Sequence, residues 1–173
     1  MKTKLLFFLS ILSFNFVNSQ IVNIPDTNFR SRLLAANTNN EIAKNLSGNY
    51  FKIDSNNDSQ IQLSEALQVS YLNAGGLSSE PAVLTGITSF SNLTELYCHS
   101  SNLPTLDLTG MTNLQKLNCG YCQMTSLNVA GLTSLTELNC FNNQLTSLNI
   151  SGLVSLQKLD YSLNQITSLN VSQ

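Results

Sequence analysis

The second half of the chain repeats its pattern of apolar and polar positions with a 21-residue period. The recurring positions are Leu93, Leu114, Leu135 and Leu156; Leu96, Leu117, Leu138 and Leu159; Cys98, Cys119, Cys140 and Tyr161; and Leu106, Leu127, Leu148 and Leu169. A short fixed period is typical of a solenoid, in which each repeat forms one coil and only stacking buries its apolar side. Leucine and cysteine alternate with outward residues, which predicts a short half-buried strand in each coil. Stacked strands then predict a parallel sheet on one face, with about 4.8 Å between coils.

The coil sequences resemble a known repeat. They read LTELYCHSSNL, LQKLNCGYCQM, LTELNCFNNQL and LQKLDYSLNQI. This is L-x-x-L-x-C-x-x-N-x-L with substitutions, and it resembles the bacterial leucine-rich repeat of internalin-like proteins over residues 84–173. The resemblance implies an α/β-type solenoid of about four coils, with few helices and a small helical N-terminal cap. It also implies a non-enzymatic binding protein.

A turn position follows each strand, and in this repeat family it usually holds asparagine. Here it holds Ser101, Cys122, Asn143 and Asn164. A buried carboxamide at this position satisfies backbone groups of neighbouring turns that would otherwise lack partners. Serine does part of this and cysteine does it poorly. We therefore predict that the first two coils are held less tightly than the last two.

The N-terminus predicts secretion. Residues 1–19 have a basic start, a short apolar stretch, and Val17 and Ser19 at the −3 and −1 positions of a signal-peptide cleavage site. We expect a secreted or cell-surface protein after cleavage near Ser19; an uncleaved anchor is the alternative. The apolar stretch is too short to span a bilayer comfortably, so no membrane insertion is expected.

Four cysteines in a secreted chain would suggest disulfides, but the repeat phase argues against this interpretation. The three cysteines that recur with the repeat period occupy inward strand positions, where a free thiol acts as a small apolar side chain. Cys119 and Cys122 also have the C-x-x-C spacing of redox motifs, but such motifs need a helix N-terminus and these residues lie at a strand end. Shared metal binding by Cys98 and His99 is not expected, because neighbouring strand residues point to opposite faces.

Residues 20–83 lack the repeat and are predicted to cap the open end of the solenoid. A helix is expected from an Asp26 N-cap to about Ala36, with an apolar stripe at Phe29, Leu33 and Leu34. This segment, too, resembles the front end of internalin-like proteins.

Within the cap, residues 54–65 match the calcium loop of an EF-hand. The candidate ligands are Asp54, Asn56, Asp58, the backbone carbonyl of Gln60, and Glu65. Two features depart from the EF-hand. Ser59 stands where the EF-hand has glycine, and a left-handed backbone there costs serine about 1 kcal/mol. The segment that enters the loop, residues 49–53, is predicted to be extended, whereas an EF-hand has a helix there. After the loop, a helix is expected from Ser64 to Val69. Two interpretations stay open: a weak structural calcium site, and a polar turn that binds no ion.

The outward side chains of the strands are the candidates for binding. Glu95, Lys116, Glu137 and Lys158 form one column of alternating charge, which we expect to pair laterally and to act as scaffold. The predicted binding face consists of Tyr97, His99, Asn118, Asn139, Phe141 and Asp160. Exposed aromatic residues on a rigid sheet are good anchors, although scattered surface apolar residues can also have no function.

Composition narrows the function further. The formal net charge is −2 and there is no basic patch, so nucleic acid is not expected as a ligand. With one histidine, no paired carboxylates in a plausible pocket and no nucleophile motif, the sequence offers no candidate active site. The leading hypothesis is a secreted or cell-surface module that binds protein or glycan through the strand face. The alternative is a structural unit that self-associates through its uncapped C-terminal coil.

Overall fold

The computed structural model describes residues 20–76 and 82–172, so the predicted signal peptide lies outside the described residues. Short strands dominate. The helices of the described residues are α1 (Thr27–Leu34) and α2 (Leu63–Ala66), and a 3-10 turn lies at Ile87–Ser89. The strands are β1 (Ala43–Asn45), β2 (Val69–Asn73), β3 (Glu95–Tyr97), β4 (Lys116–Asn118), β5 (Glu137–Asn139), β6 (Ser147–Asn149), β7 (Lys158–Asp160) and β8 (Ser168–Asn170). No helix within the described ranges is long and apolar enough to cross a membrane.

The strands stack in the register that the repeat predicts. One sheet has the order β1-β2-β3-β4-β5-β7, and a smaller sheet pairs β6 with β8. From β2 onward all neighbours are parallel, and Leu96, Leu117, Leu138 and Leu159 lie side by side across the larger sheet. The predicted solenoid with a parallel sheet on one face is therefore confirmed. We number the coils one (93–113), two (114–134), three (135–155) and four (156–172).

A single apolar core runs from the cap through coil three. The inward strand residues Leu96 and Cys98 are fully buried, and the rest of coil one contributes Leu108 and Met111, beside Leu114 at the start of coil two. Equivalent residues of the next coils pack on them. Because each coil is too thin to enclose a core alone, burial depends on the coil above and the coil below.

The cap helix α1 begins where the sequence predicts. Asp26 is its N-cap, and the Asp26 Oδ1 accepts a hydrogen bond from the Phe29 backbone N–H at 2.8 Å. Phe29 and Leu33 are fully buried, so the apolar side of α1 covers the first end of the core. The helix ends at Leu34, slightly before the predicted Ala36.

The sheet begins inside the segment that the sequence assigns to the cap. Strand β2 pairs in parallel with β3, placing Tyr71 beside Glu95, and the antiparallel β1 closes this edge. The helix expected from Ser64 to Val69 is shorter, because α2 ends at Ala66 and Val69 already belongs to β2. The β-branched and aromatic side chains of β2 favour a strand.

One turn position has a left-handed backbone in every coil. Ser100, Tyr121, Asn142 and Leu163 occupy equivalent positions of successive coils and have φ between 52° and 58°. Such angles are uncommon outside glycine. Since they recur whatever the side chain, the stacking of the coils imposes them.

Candidate binding face and the cysteine column

The three cysteines of the inward column are fully buried, as predicted. A thiol contact from Cys122, together with burial, raises the pKa of Cys98 well above its ordinary value. Burial raises the pKa of Cys119 in the same way, and it raises the pKa of Cys140 to about 12. These thiols are therefore protonated at neutral pH, and a protonated buried thiol is a poor nucleophile.

Asparagine links the later coils as the repeat predicts. The Asn143 Nδ2 donates to the carbonyls of Cys119 at 2.9 Å and Cys140 at 3.0 Å, so it bridges two coils. Its Oδ1 accepts from the backbone N–H groups of Cys122 and Met124. Asn164 repeats the arrangement one coil later, with Nδ2 donating to the Cys140 carbonyl at 2.8 Å.

In the first two coils, the hydrogen bonds at the turn position differ from those that the sequence predicts. The Cys122 Sγ donates to the Cys98 carbonyl at 3.1 Å, whereas the buried Ser101 Oγ has no hydrogen-bond partner among the described residues. The sequence ranks serine above cysteine here, and the structure reverses that order. The C–S bond of cysteine is longer than the C–O bond of serine, and the Cys122 thiol reaches the preceding coil.

The charged column pairs laterally as predicted. Lys116 Nζ lies 3.3 Å from Glu95 Oε1, and Lys158 Nζ lies 2.8 Å from Glu137 Oε1. Glu95 raises the pKa of Lys116, and the hydrogen bond from Lys158 lowers the pKa of Glu137. Each pair joins neighbouring coils across the strand face and neutralises its own charge.

Two adjoining grooves bring the six predicted binding residues together on the strand face. The larger, of about 290 Å³, is lined by Tyr97, Asn118, Asn139 and Asp160, with the charged column along its side. The smaller, of about 170 Å³, is lined by His99, Phe141 and the same two asparagines. Asn118 and Asn139 therefore stand between the two grooves.

Sequence reasoning missed part of the aromatic surface. Tyr50, Tyr71 and Tyr97 form a continuous series, which we name the tyrosine row, with ring centroids 6.4 and 5.3 Å apart. Lys44 Nζ lies 4.9 and 5.0 Å from the first two ring centroids, in cation–π geometry. Tyr50 and Tyr71 precede the repeat. The number of residues from β2 to β3 is larger than the repeat period, so the 21-residue pattern does not reveal that these tyrosines align with Tyr97. Tyr121, at a turn position outside the strands, was also missed.

The loop at 54–65 is closed by its own hydrogen bonds. Glu65 Oε1 accepts from the Ser55 N–H at 2.7 Å and from its hydroxyl, and Glu65 Oε2 accepts from the Gln62 N–H at 3.0 Å. The candidate ligand Asp54 accepts from the N–H groups of Asp58 and Ser59, and Ser59 has the expected left-handed φ of 64°. Within residues 20–76 and 82–172, no three His, Cys, Asp or Glu side chains are grouped to hold a metal.

Calcium binding therefore stays a prediction. It requires Glu65 to exchange its present hydrogen bonds for the ion, with Asn56 and the Gln60 carbonyl completing the oxygen ligands. Calorimetric titration of the purified protein with calcium, with Glu65→Gln as control, tests it. No heat and no thermal shift at several millimolar calcium would reject it.

Comparisons with known proteins agree with this architecture. The family described as leucine-rich repeats (2 copies) matches residues 112–153. The functional domain of InlJ from Listeria monocytogenes, whose structure includes a cysteine ladder, is 32% identical with a TM-score of 0.69. That match covers 88% of this chain, which spans only 30% of the InlJ chain.

Two further Listeria monocytogenes structures match at lower similarity. Internalin C2 is 19% identical with a TM-score of 0.46, covering 89% of this chain and 76% of its own. The internalin InlF is 16% identical with a TM-score of 0.47, covering 84% and 49% respectively. A comparison with curated proteins gives no significant match. The chain is a leucine-rich-repeat solenoid whose fold is similar to that of the Listeria internalin InlJ.

Proposed function

We propose that this chain is a secreted or cell-surface, non-enzymatic module that binds a protein or a glycan through its strand face. One observation carries the proposal: aromatic rings and polar groups lie together on one rigid sheet, with the tyrosine row at one end and two grooves further along. The rings of Tyr71 and Tyr97 are held by strands β2 and β3 and lose little conformational freedom on binding, which favours affinity. The likeness to InlJ supports a binding role by analogy of fold.

Partner capture from the extracellular fluid of the native environment tests this proposal. The immobilised chain is compared with the variant carrying both Tyr97→Ala and Phe141→Ala, which removes one ring beside each groove. Val154→Ala is the matched control, because Val154 is exposed and lies outside both grooves. We expect the double variant to lose the captured component and the control to retain it. Capture that survives the double variant would contradict the proposal.

Self-association is a second candidate, because coil four exposes apolar side chains. Leu163, Leu169 and Val171 are exposed, and β7 and β8 each have only one neighbouring strand among the described residues. An unpaired strand edge beside apolar side chains favours association with a second copy. Size-exclusion chromatography with light scattering tests this, with Leu163→Glu compared against Val154→Glu. A monomer at all protein concentrations would reject self-association.

A further inference from the structure

The smaller groove has a specific cause in the repeat. His99, Gly120 and Phe141 are spaced by the repeat period and occupy the same position in coils one, two and three. Two ring-bearing residues therefore flank a residue with no side chain. With about 4.8 Å between coils, the flanking strands lie roughly 10 Å apart. This gap, of about 170 Å³, is named the Gly120 notch.

The floor of the notch is close to backbone and carboxamide oxygens. A Cβ on Gly120 would lie 3.2 Å from the Phe141 carbonyl oxygen, 3.4 Å from Asn139 Oδ1 and 3.5 Å from Asn118 Oδ1. The first distance is tighter than an ordinary contact, so a larger residue here would fill the notch and press on its floor. Glycine at this position is what keeps the notch open.

Two amide groups supply hydrogen-bond donors at the notch. Asn118 Oδ1 accepts from the Gly120 N–H at 3.2 Å, and Asn139 Oδ1 accepts from the Phe141 N–H at 3.0 Å. These bonds fix both carboxamides. Their Nδ2 groups donate to no other described residue, so each has two N–H donors to offer a ligand.

One wall of the notch is aromatic. Tyr121 is 53% exposed, and its ring centroid lies 5.2 Å from that of Phe141. The equivalent turn positions in the other coils hold Ser100, Asn142 and Leu163, so only coil two places a ring here. The two rings are tilted by 59° to each other, so each presents its own apolar face beside the donors. In the part of the chain that the structure describes, no Asp, Glu, Lys or Arg side chain lines the notch.

We propose that the Gly120 notch binds a single neutral sugar ring. The C–H groups on one face of a pyranose make that face apolar, and it would stack on the exposed ring of Tyr121, with the tilted ring of Phe141 beside it. Its hydroxyl oxygens would accept from the amides of Asn118 and Asn139. The volume falls below the roughly 300–1,000 Å³ of sites for drug-sized ligands, which suits one ring. This proposal rests on the proposed function, because it names the glycan contact of the same strand face.

Ligand-observed NMR with the full chain tests the proposal. The probes are the methyl glycosides of glucose, galactose, mannose and N-acetylglucosamine at about 50 mM, since so small a contact gives only weak binding. We expect at least one glycoside to bind. Tyr121→Ala should weaken that binding by about tenfold, because it removes the stacking surface. Tyr161→Ala is the matched control, since Tyr161 is also exposed but lies outside the notch.

A second variant tests the shape of the site independently of the aromatic wall. Gly120→Leu should abolish glycoside binding by filling the notch, and circular dichroism checks its fold. Absence of binding by all four glycosides overturns the proposal, as does binding that survives both variants. If no glycoside binds but partner capture still depends on Tyr97 and Phe141, the sugar site fails while the proposed function stands. If no glycoside binds and partner capture also survives the double variant, both the sugar site and the proposed function are rejected.

Discussion

Coils three and four have nearly the same apolar sequence and yet bury it to different extents. Leu138 of coil three is 2% exposed, whereas the equivalent Leu159 of coil four is only half-buried. Leu148 is 2% exposed and its equivalent Leu169 is 36% exposed. Among the described residues, coil three is covered on both sides and coil four on one. In this fold the neighbour, rather than the residue, therefore decides what a leucine contributes to stability.

The asparagines at the turn position after each strand show the same difference between coils three and four. Asn143 is buried between coils two and three, while Asn164 is partly exposed although it makes equivalent hydrogen bonds. From its sequence alone, coil four belongs with the tightly held coils because it carries asparagine. Its low burial predicts instead that it is the most weakly held of the four described coils, and hydrogen exchange measures this ranking directly.

Truncation of a strand leucine should give the largest difference between the two coils. We expect Leu138→Ala to lower the free energy of unfolding by about 3 kcal/mol, because it removes buried contacts and leaves a cavity. Leu159→Ala should cost about 1 kcal/mol, since its side chain is already partly in water. Urea denaturation of both variants measures the difference. Equal losses would indicate that coil four is covered in solution, and repeating the measurement at lower protein concentration separates self-association from folding.

Removal of the asparagine at the turn position should have the next largest effect on stability. Asn143→Ala leaves the N–H groups of Cys122 and Met124 without their acceptor, so we expect a loss of about 2–3 kcal/mol. Asn164→Ala should cost about 1 kcal/mol, because water can replace the lost bonds there. Ser101→Ala should change stability little, as its hydroxyl has no partner to lose among the described residues. Hydrogen exchange at the Cys122 and Met124 amides gives the local measurement.

Unchanged protection of those two amides in Asn143→Ala would show that the carboxamide is not what holds coils two and three together. A loss on Ser101→Ala as large as that on Asn143→Ala would show that the serine hydroxyl is satisfied in solution.

The repeat made most of the solenoid predictable, because residues at the same position of successive repeats lie in the same surroundings. The inward cysteines, the charge pairs and the parallel register all follow from the repeat period. The tyrosine row did not follow, since β2 joins the sheet after a step that is longer than the repeat. Tyr121 was missed for another reason: its ring comes to the strand face from a turn, where alternation along a strand predicts nothing.

The cysteine column should make the interior coils sensitive to alkaline pH. The folded pKa of Cys119 and Cys140 lies above the unfolded value, so their contribution to stability is fully present below about pH 8.5 and is lost as pH rises towards the folded pKa. The expected slope is about 1.4 kcal/mol per pH unit for each thiol within this range. Coil four has the exposed Tyr161 at this position instead of a buried thiol.

Denaturation midpoints between about pH 8 and 11 measure this slope. Cys140→Ala should lower the free energy of unfolding at every pH. It should also make that free energy fall less steeply with rising pH, because one titrating thiol is absent. Tyr71, whose pKa burial raises to about 12, adds to the decline in both proteins and so cancels in the comparison. Parallel pH profiles for the two proteins would show that the Cys140 thiol does not contribute to the loss of stability at alkaline pH.

The charge pairs should have the smallest effect on stability. The pair between coils one and two should again contribute more than the pair between coils three and four. The Lys116 side chain is 37% exposed in its pair with Glu95, whereas Lys158 is 73% exposed in its pair with Glu137. A double-mutant cycle with Glu95→Gln and Lys116→Met should give a coupling below about 1 kcal/mol that shrinks in high salt. The Glu137–Lys158 cycle should give less, because solvent screens it more and coil four has no outer neighbour among the described residues to hold Lys158. A larger coupling at Glu137–Lys158 would mean that coil four is as well ordered as coil two, and the unequal burial would then not set the order of stability.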